Sequence, residues 1–202
     1  MLNIPNPGYE IEIRGLLTAE DRARVERLLE SEGATLAGDH ERESYIFEQQ
    51  DGGLDLRVRV AEKGAELVLK YGPERLATIR WKHTIRLHQE VSLKEVLEFV
   101  SYYGFTRGRV VRRRYKTYAY RGRYKVVLAT VPGAPDFDYF EIEASTVDSA
   151  EVDGLVAEVE DVACELHLIT FSQDEYRTYL TALDAAGVEP MYQYHNPRMP
   201  VS

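Results

Sequence analysis

Cysteine occurs once in the 202 residues, as Cys164, which excludes an internal disulfide and a cysteine-rich zinc site. Long apolar runs are also missing, so no stretch is expected to span a bilayer as a helix. The N-terminus has neither the basic start nor the apolar core of an export signal, and a cytoplasmic setting follows as the expectation. The five histidines, His40, His83, His88, His167 and His195, fall at no paired ligand spacing, so each reads as a surface or core residue. No repeat of fixed period and no low-complexity segment is present. One further absence is local: between Glu98 and Asp136 there is no acidic residue, while nine basic ones from Arg107 to Lys125 crowd the same window. In a chain of net charge −9 such segregation points to a specific anion, because general nucleic-acid affinity comes with a basic domain.

What is there suffices for a core, with 44% hydrophobic residues. Alternation of apolar and charged residues predicts strands over Glu10–Arg14, Glu43–Glu48, Leu54–Val60, Glu66–Lys70, Ala77–Leu87, Arg109–Tyr120, Tyr124–Val131 and Tyr139–Ala144. Pro5, Pro7 and Gly8 read as an extended lead-in. Turns are expected at Asp51-Gly52-Gly53, Lys63-Gly64, Gly72-Pro73 and Arg121-Gly122-Arg123. Helices are expected near 18–32, 93–103, 149–166 and 172–187, the second opened by the capping box Ser92/Glu95 and the fourth by Ser172 with Glu175. Pro190, Pro197 and Pro200 mark an irregular tail. Seven or eight strands, mostly hairpin-connected and interrupted by helices, give an α+β fold.

The strand faces carry the functional signal. Glu10, Glu12 and Arg14 share one face of the first strand, and Glu141 and Glu143 repeat the acidic spacing far downstream. Between them, Arg57/Arg59, Lys70, Arg80/Lys82 and Arg112/Arg114/Lys116 are basic at one parity. Closing the sheet into a barrel would bring these groups into one channel. Buried charges without partners are prohibitive, so the channel must be wet or hold a polyanion with a divalent cation. The aromatic residues of the basic run, Tyr115, Tyr118, Tyr120 and Tyr124, also leave open a surface that stacks on nucleic-acid bases.

Glu10-Ile11-Glu12-Ile13-Arg14 resembles the Glu-x-Glu-x-Lys signature of the CYTH superfamily, the triphosphate tunnel metalloenzymes. Leu56-Arg57-Val58-Arg59, Leu67-Val68-Leu69-Lys70, the strand Arg112 to Lys116 and Tyr139-Phe140-Glu141-Ile142-Glu143 follow in the family's order. Tyr176-Arg177-Thr178-Tyr179-Leu180 is similar to the tail of its adenylyl-cyclase-like branch. The resemblance covers about residues 8–185. It implies an antiparallel eight-stranded closed β-barrel with flanking helices, over residues 1–187, followed by an irregular tail at 188–202.

It further implies a triphosphate-bearing small molecule as substrate and Mg²⁺ or Mn²⁺ as cofactor. The metal would be held by Glu10, Glu12, Glu141 and Glu143, and phosphate by Arg57, Arg59, Lys70, Arg80, Arg112, Arg114 and Lys116. Glu10, Glu12 and Arg14 would be catalytic. Phosphohydrolysis of an inorganic or organic triphosphate is the expected activity, with cyclisation of ATP as the alternative within the family. A catalytically degenerate binding module is the alternative outside it. Three positions depart from the pattern: Arg14 replaces lysine and cannot deprotonate, Lys82 stands at a commonly acidic position, and Ala129 stands where an aspartate commonly binds metal. No membrane or nucleic-acid partner is expected, and the choice between monomer and homodimer stays open.

Overall fold

The computed structural model describes residues 8–47, 54–61, 64–72, 79–88 and 90–194. Pro5, Pro7, the Asp51-Gly52-Gly53 turn, Lys63, Pro73, His195, Pro197 and Pro200 lie outside the described residues. The elements run β1 (Gly8–Leu16), α1 (Ala19–Ser31), β2 (Thr35–Phe47), β3 (Leu54–Ala61), β4 (Gly64–Tyr71), β5 (Ile79–Arg86) and α2 (Leu93–Ser101). They continue as β6 (Arg107–Tyr120), β7 (Tyr124–Thr130), β8 (Tyr139–Thr146), α3 (Val152–Glu165), α4 (Gln173–Ala185) and β9 (Met191–Gln193). No described helix is long and apolar enough to cross a membrane.

Eight antiparallel strands form a ring in the order β2-β3-β4-β5-β1-β8-β7-β6, closed by pairing of β6 with β2. β9 adds to the free edge at the start of β6, so the tail expected to be irregular contributes a short strand. The hairpin between β6 and β7 turns at Arg121 and Gly122, both at positive φ, where glycine carries no Cβ penalty.

The apolar faces of β1, β3 and β8 point away from the ring, toward the helices. Ile11 and Ile13 of β1 and Phe140 and Ile142 of β8 pack with Val25 and Leu29 of α1 and with Leu155, Val159 and Val162 of α3. Leu56 and Val58 of β3 meet Val96, Leu97 and Val100 of α2 in a second cluster. Burying each such aliphatic side chain contributes about 1.5–3 kcal/mol. Because the outer face of β1, β3 and β8 takes the oil, their opposite parity, with its charges, turns into the lumen.

Two strands depart from the sequence reading. β2 begins at Thr35, well before the expected Glu43, and pairs with β6 along almost its whole length. In β6 the lumen receives Arg109, Val111, Arg113, Tyr115 and Thr117. Arg112, Arg114 and Lys116, expected inside, lie on the outer surface, paired with Glu43, Asp39 and Glu26 at 2.6, 2.9 and 2.7 Å. The reason lies two residues further on: Tyr118 and Tyr120 have the same parity and are buried in the outer core, which fixes that face as the outward one.

Candidate functional site: a charged tunnel

The lumen is a cavity of about 440 Å³. β1 and β8 set its acidic wall, their register placing Glu12 opposite Glu143 and Arg14 opposite Glu141. Carboxylate oxygens of Glu10, Glu12 and Glu143 converge to within 4.8 Å of one another. Of the four carboxylates expected to gather, Glu141 stands outside this trio, receiving a 3.0 Å hydrogen bond from Arg14 Nε.

Four basic side chains hold these acids. The Lys70 ammonium bridges Glu10 and Glu12, lying 3.1 Å from Glu12 Oε2. Lys82 also contacts Glu10, Arg14 contacts Glu12, and Lys125 donates to Glu143 at 2.7 Å. Burial alone would push the Glu10 carboxyl up, but Lys70 and Lys82 hold it well below the usual carboxylate range. Lys70 is itself brought down to about 8, by burial first and by its arginine neighbours against the pull of Glu10.

The cationic walls divide into engaged and available groups. Asp55, almost fully buried, accepts from Arg57 at 2.7 Å and from Arg80 at 2.9 Å. Arg80, set directly opposite Glu10 by the β1–β5 register, is buried against Asp55 on that face, whereas Arg57 lines the cavity. Arg109 and Arg113 are tied to Asp184 and Glu189 from the C-terminal segment. Arg59 forms no ion pair with any described carboxylate, and burial together with Arg42 and Arg57 lowers its pKa to about 10. Arg42 lies 3.9 Å over the ring of Tyr115 and likewise has no carboxylate in ion-pair contact among the described residues.

Two guanidinium groups thus face the lumen with their charge unspent. Tyr115 pairs with Tyr139, hydroxyl to hydroxyl, at 3.4 Å. Beside them Ala129 is fully buried among Tyr115, Val127 and Tyr139, so the wall at that position is apolar and offers no carboxylate.

α4 lies across one end of the cavity, contributing Tyr176, Tyr179, Leu180 and Leu183 to its lining. The segment before it is fixed where Phe171 N donates to Arg14 O at 2.7 Å, and Tyr176 then sits 5.3 Å from the Arg14 guanidinium. That crossing requires Gly15, since a Cβ there would lie 2.0 Å from Ile169 O.

Glu10, Glu12, Arg14, Arg57, Arg59, Lys70, Glu141 and Glu143 are therefore brought around one lumen, Arg80 lies on the face that Glu10 shares but is engaged by Asp55, and Arg112, Arg114 and Lys116 lie outside. Arg42, Lys125, Arg113 and Tyr176 belong to the lumen without having been singled out. Arg42 belongs to the alternate residues Gly38, His40, Arg42 and Ser44 of β2, all of which line the cavity.

A closed antiparallel ring with an apolar outside under helices and a lumen lined by opposed carboxylates and guanidinium groups defines a charged-tunnel protein. The CYTH domain matches residues 8–179, and the chain belongs to that family. Among solved structures, a conserved hypothetical protein from Pyrococcus furiosus is similar at 18% identity and TM-score 0.65, over 82% of this chain and 99% of that one. A candidate adenylate cyclase from Vibrio parahaemolyticus is similar at 14% identity and TM-score 0.67, over 87% and 99%. A candidate adenylyl cyclase from Hippeastrum, described as having a dominant triphosphatase activity, is similar at 14% identity and TM-score 0.52, over 87% and 96%. At these identities the likeness is one of fold. No curated protein matches the chain in sequence.

Proposed function

We propose that this chain is a divalent-metal-dependent enzyme that hydrolyses a triphosphate-bearing small molecule inside the tunnel. The observation that carries the reading is the juxtaposition, in one lumen, of three converging carboxylates with guanidinium groups that have no carboxylate partner among the described residues. Converging carboxylate oxygens are the donor set that Mg²⁺ or Mn²⁺ takes, so Glu10, Glu12 and Glu143 fit the metal that the family implies. Bound there, the metal would supply Lewis-acid polarisation of a phosphoryl oxygen and a more acidic water.

The protein's own groups do the rest. Arg42 and Arg59 grip phosphate oxygens through charge-assisted, fork-shaped hydrogen bonds, and Arg57 assists from its Asp55 tether. Arg14, anchored by Glu141, presents fixed positive charge where negative charge grows as the bond breaks. Burial of Glu10 and Glu12 keeps bulk water out of the acidic wall. A cytoplasmic setting is part of the same reading, consistent with a single free cysteine.

A second reading is favoured by a specific observation: the apolar wall around Ala129 offers no ligand for a second metal, which suits a module that binds triphosphate without turning it over. Cyclisation of ATP remains the alternative chemistry, since it differs only in using a ribose hydroxyl as nucleophile. A nucleic-acid surface loses support because the outward Arg112, Arg114 and Lys116 are each paired to a carboxylate.

The test is a panel of inorganic triphosphate, thiamine triphosphate, ATP and GTP, each with Mg²⁺ and Mn²⁺, followed by phosphate release and by cyclic-nucleotide formation. Turnover abolished by Glu12→Gln with triphosphate binding retained supports the enzyme. Tight binding without turnover under any condition, and turnover gained by Ala129→Asp, replaces it with the binding module.

A further inference from the structure

We propose that Lys82 and Lys125 are resident cations of the acidic wall: their ammonium groups occupy Glu10 and Glu143, and a divalent ion enters only by displacing them. The inference rests on the metal-and-triphosphate reading above and specifies how that site is regulated from within. Each of the three converging carboxylates already carries a lysine or arginine: Lys82 and Lys70 on Glu10, Lys70 and Arg14 on Glu12, Lys125 on Glu143. A lysine and a divalent ion cannot share one oxygen, because the charges repel at contact distance; Lys82 sits on Glu10 Oε1 and Lys125 on Glu143 Oε2, while Lys70 takes the other Glu10 oxygen.

The lysines differ in freedom. The Lys70 side chain is 2% exposed and held between two acids, so it stays. Lys82 is 25% exposed and Lys125 46% exposed, each held by one carboxylate. An ammonium on a flexible four-carbon stem can swing aside where it has solvent on one side. Both come from strands that flank the acidic pair, Lys125 set opposite Glu143 by the β7–β8 register and Lys82 reaching Glu10 from β5. The arrangement keeps the acidic wall charge-balanced without metal and makes metal affinity a property of these two side chains.

The experiment measures Mn²⁺ binding to the full chain, by the electron paramagnetic resonance signal of the free ion. Wild type, Lys82→Ala, Lys125→Ala, Lys125→Arg and the surface control Lys94→Ala are compared, with cooperative thermal unfolding checked for each. Removing either resident charge should tighten Mn²⁺ binding about tenfold or more, while Lys125→Arg and Lys94→Ala bind like wild type. Should Lys82→Ala unfold, the half-exposed Lys125 variants still decide the matter. Equal Mn²⁺ affinity in wild type and Lys125→Ala overturns the exchange. Inorganic triphosphate binding to wild type in the presence of chelator is measured alongside. Equal Mn²⁺ affinities with triphosphate binding intact overturn the resident-cation inference alone; if the chain binds neither Mn²⁺ in any variant nor triphosphate, the proposed function falls as well.

Discussion

The arginines of this chain are not equivalent, and their neighbours decide which of them matter. Arg59 has no described ion-pair partner and is repelled by Arg42 and Arg57, so its charge is available to a ligand. Arg59→Ala should weaken triphosphate binding by about 10- to 100-fold, the loss of one charge-assisted contact, without lowering the melting temperature. Arg112→Ala, on the outer surface, should change neither. Calorimetric titration of both variants checks this, and equal losses from both would place the ligand outside the lumen. Glu141 gives a pH prediction. Burial would raise its carboxyl, but Arg14 and Lys70 bring it down to about 2. An unfolded glutamate titrates near ~4.3, so between the two values the unfolded chain binds more protons. The stability from Glu141 is complete above that upper value and is lost as pH falls toward 2. Glu141→Gln should flatten this acid limb in denaturant melts; parallel curves for variant and wild type would show that Glu141 is not its source.

Among the elements, those with one clean apolar parity were legible and those without were not. β1, β3 and β8 alternate strictly, so the facing of Glu10, Glu12, Arg57, Arg59, Glu141 and Glu143 followed from sequence. β2 carries Asp39, Glu41 and Glu43 on its outside and Gly38, His40 and Arg42 on its inside. With both faces polar over its first half there is no alternation to read, and Arg42 was lost with it. β6 has arginines at both parities, and only Tyr118 and Tyr120 distinguish the dry outer face from the lumen. Lys125 went unnoticed because its lumen-side neighbours Val127 and Ala129 look like core. α4 is placed by a contact no pattern announces, the passage of the 168–171 segment over Gly15. Gly15→Ala should push that segment away, cost about 1–3 kcal/mol of stability and free Tyr176 from Arg14. A variant as stable as wild type, with unchanged Tyr176 fluorescence or side-chain resonances, would contradict this placement of α4.

At the scale of the whole molecule the tunnel stores like-charge repulsion that a polyanion relieves. Inorganic triphosphate should therefore raise the melting temperature more than orthophosphate at matched ionic strength, by mass action on the folded state alone. Equal shifts would leave only screening. Closure of the ring has a further consequence, for how the chain reaches this state. β1 lies between β5 and β8, and β2 closes against β6, so neither strand finds all its partners until distant parts of the chain have met. High contact order slows folding, because loop entropy is lost before the pairings that reward it form. Refolding from denaturant should accordingly be slow for a chain of this size, and the join that closes the ring, β2 to β6, sets Arg42 opposite Arg113 against their own charge. A triphosphate added during refolding would then speed closure as well as stabilise its product, a kinetic effect that stopped-flow fluorescence of Trp81 can separate from binding to the finished tunnel.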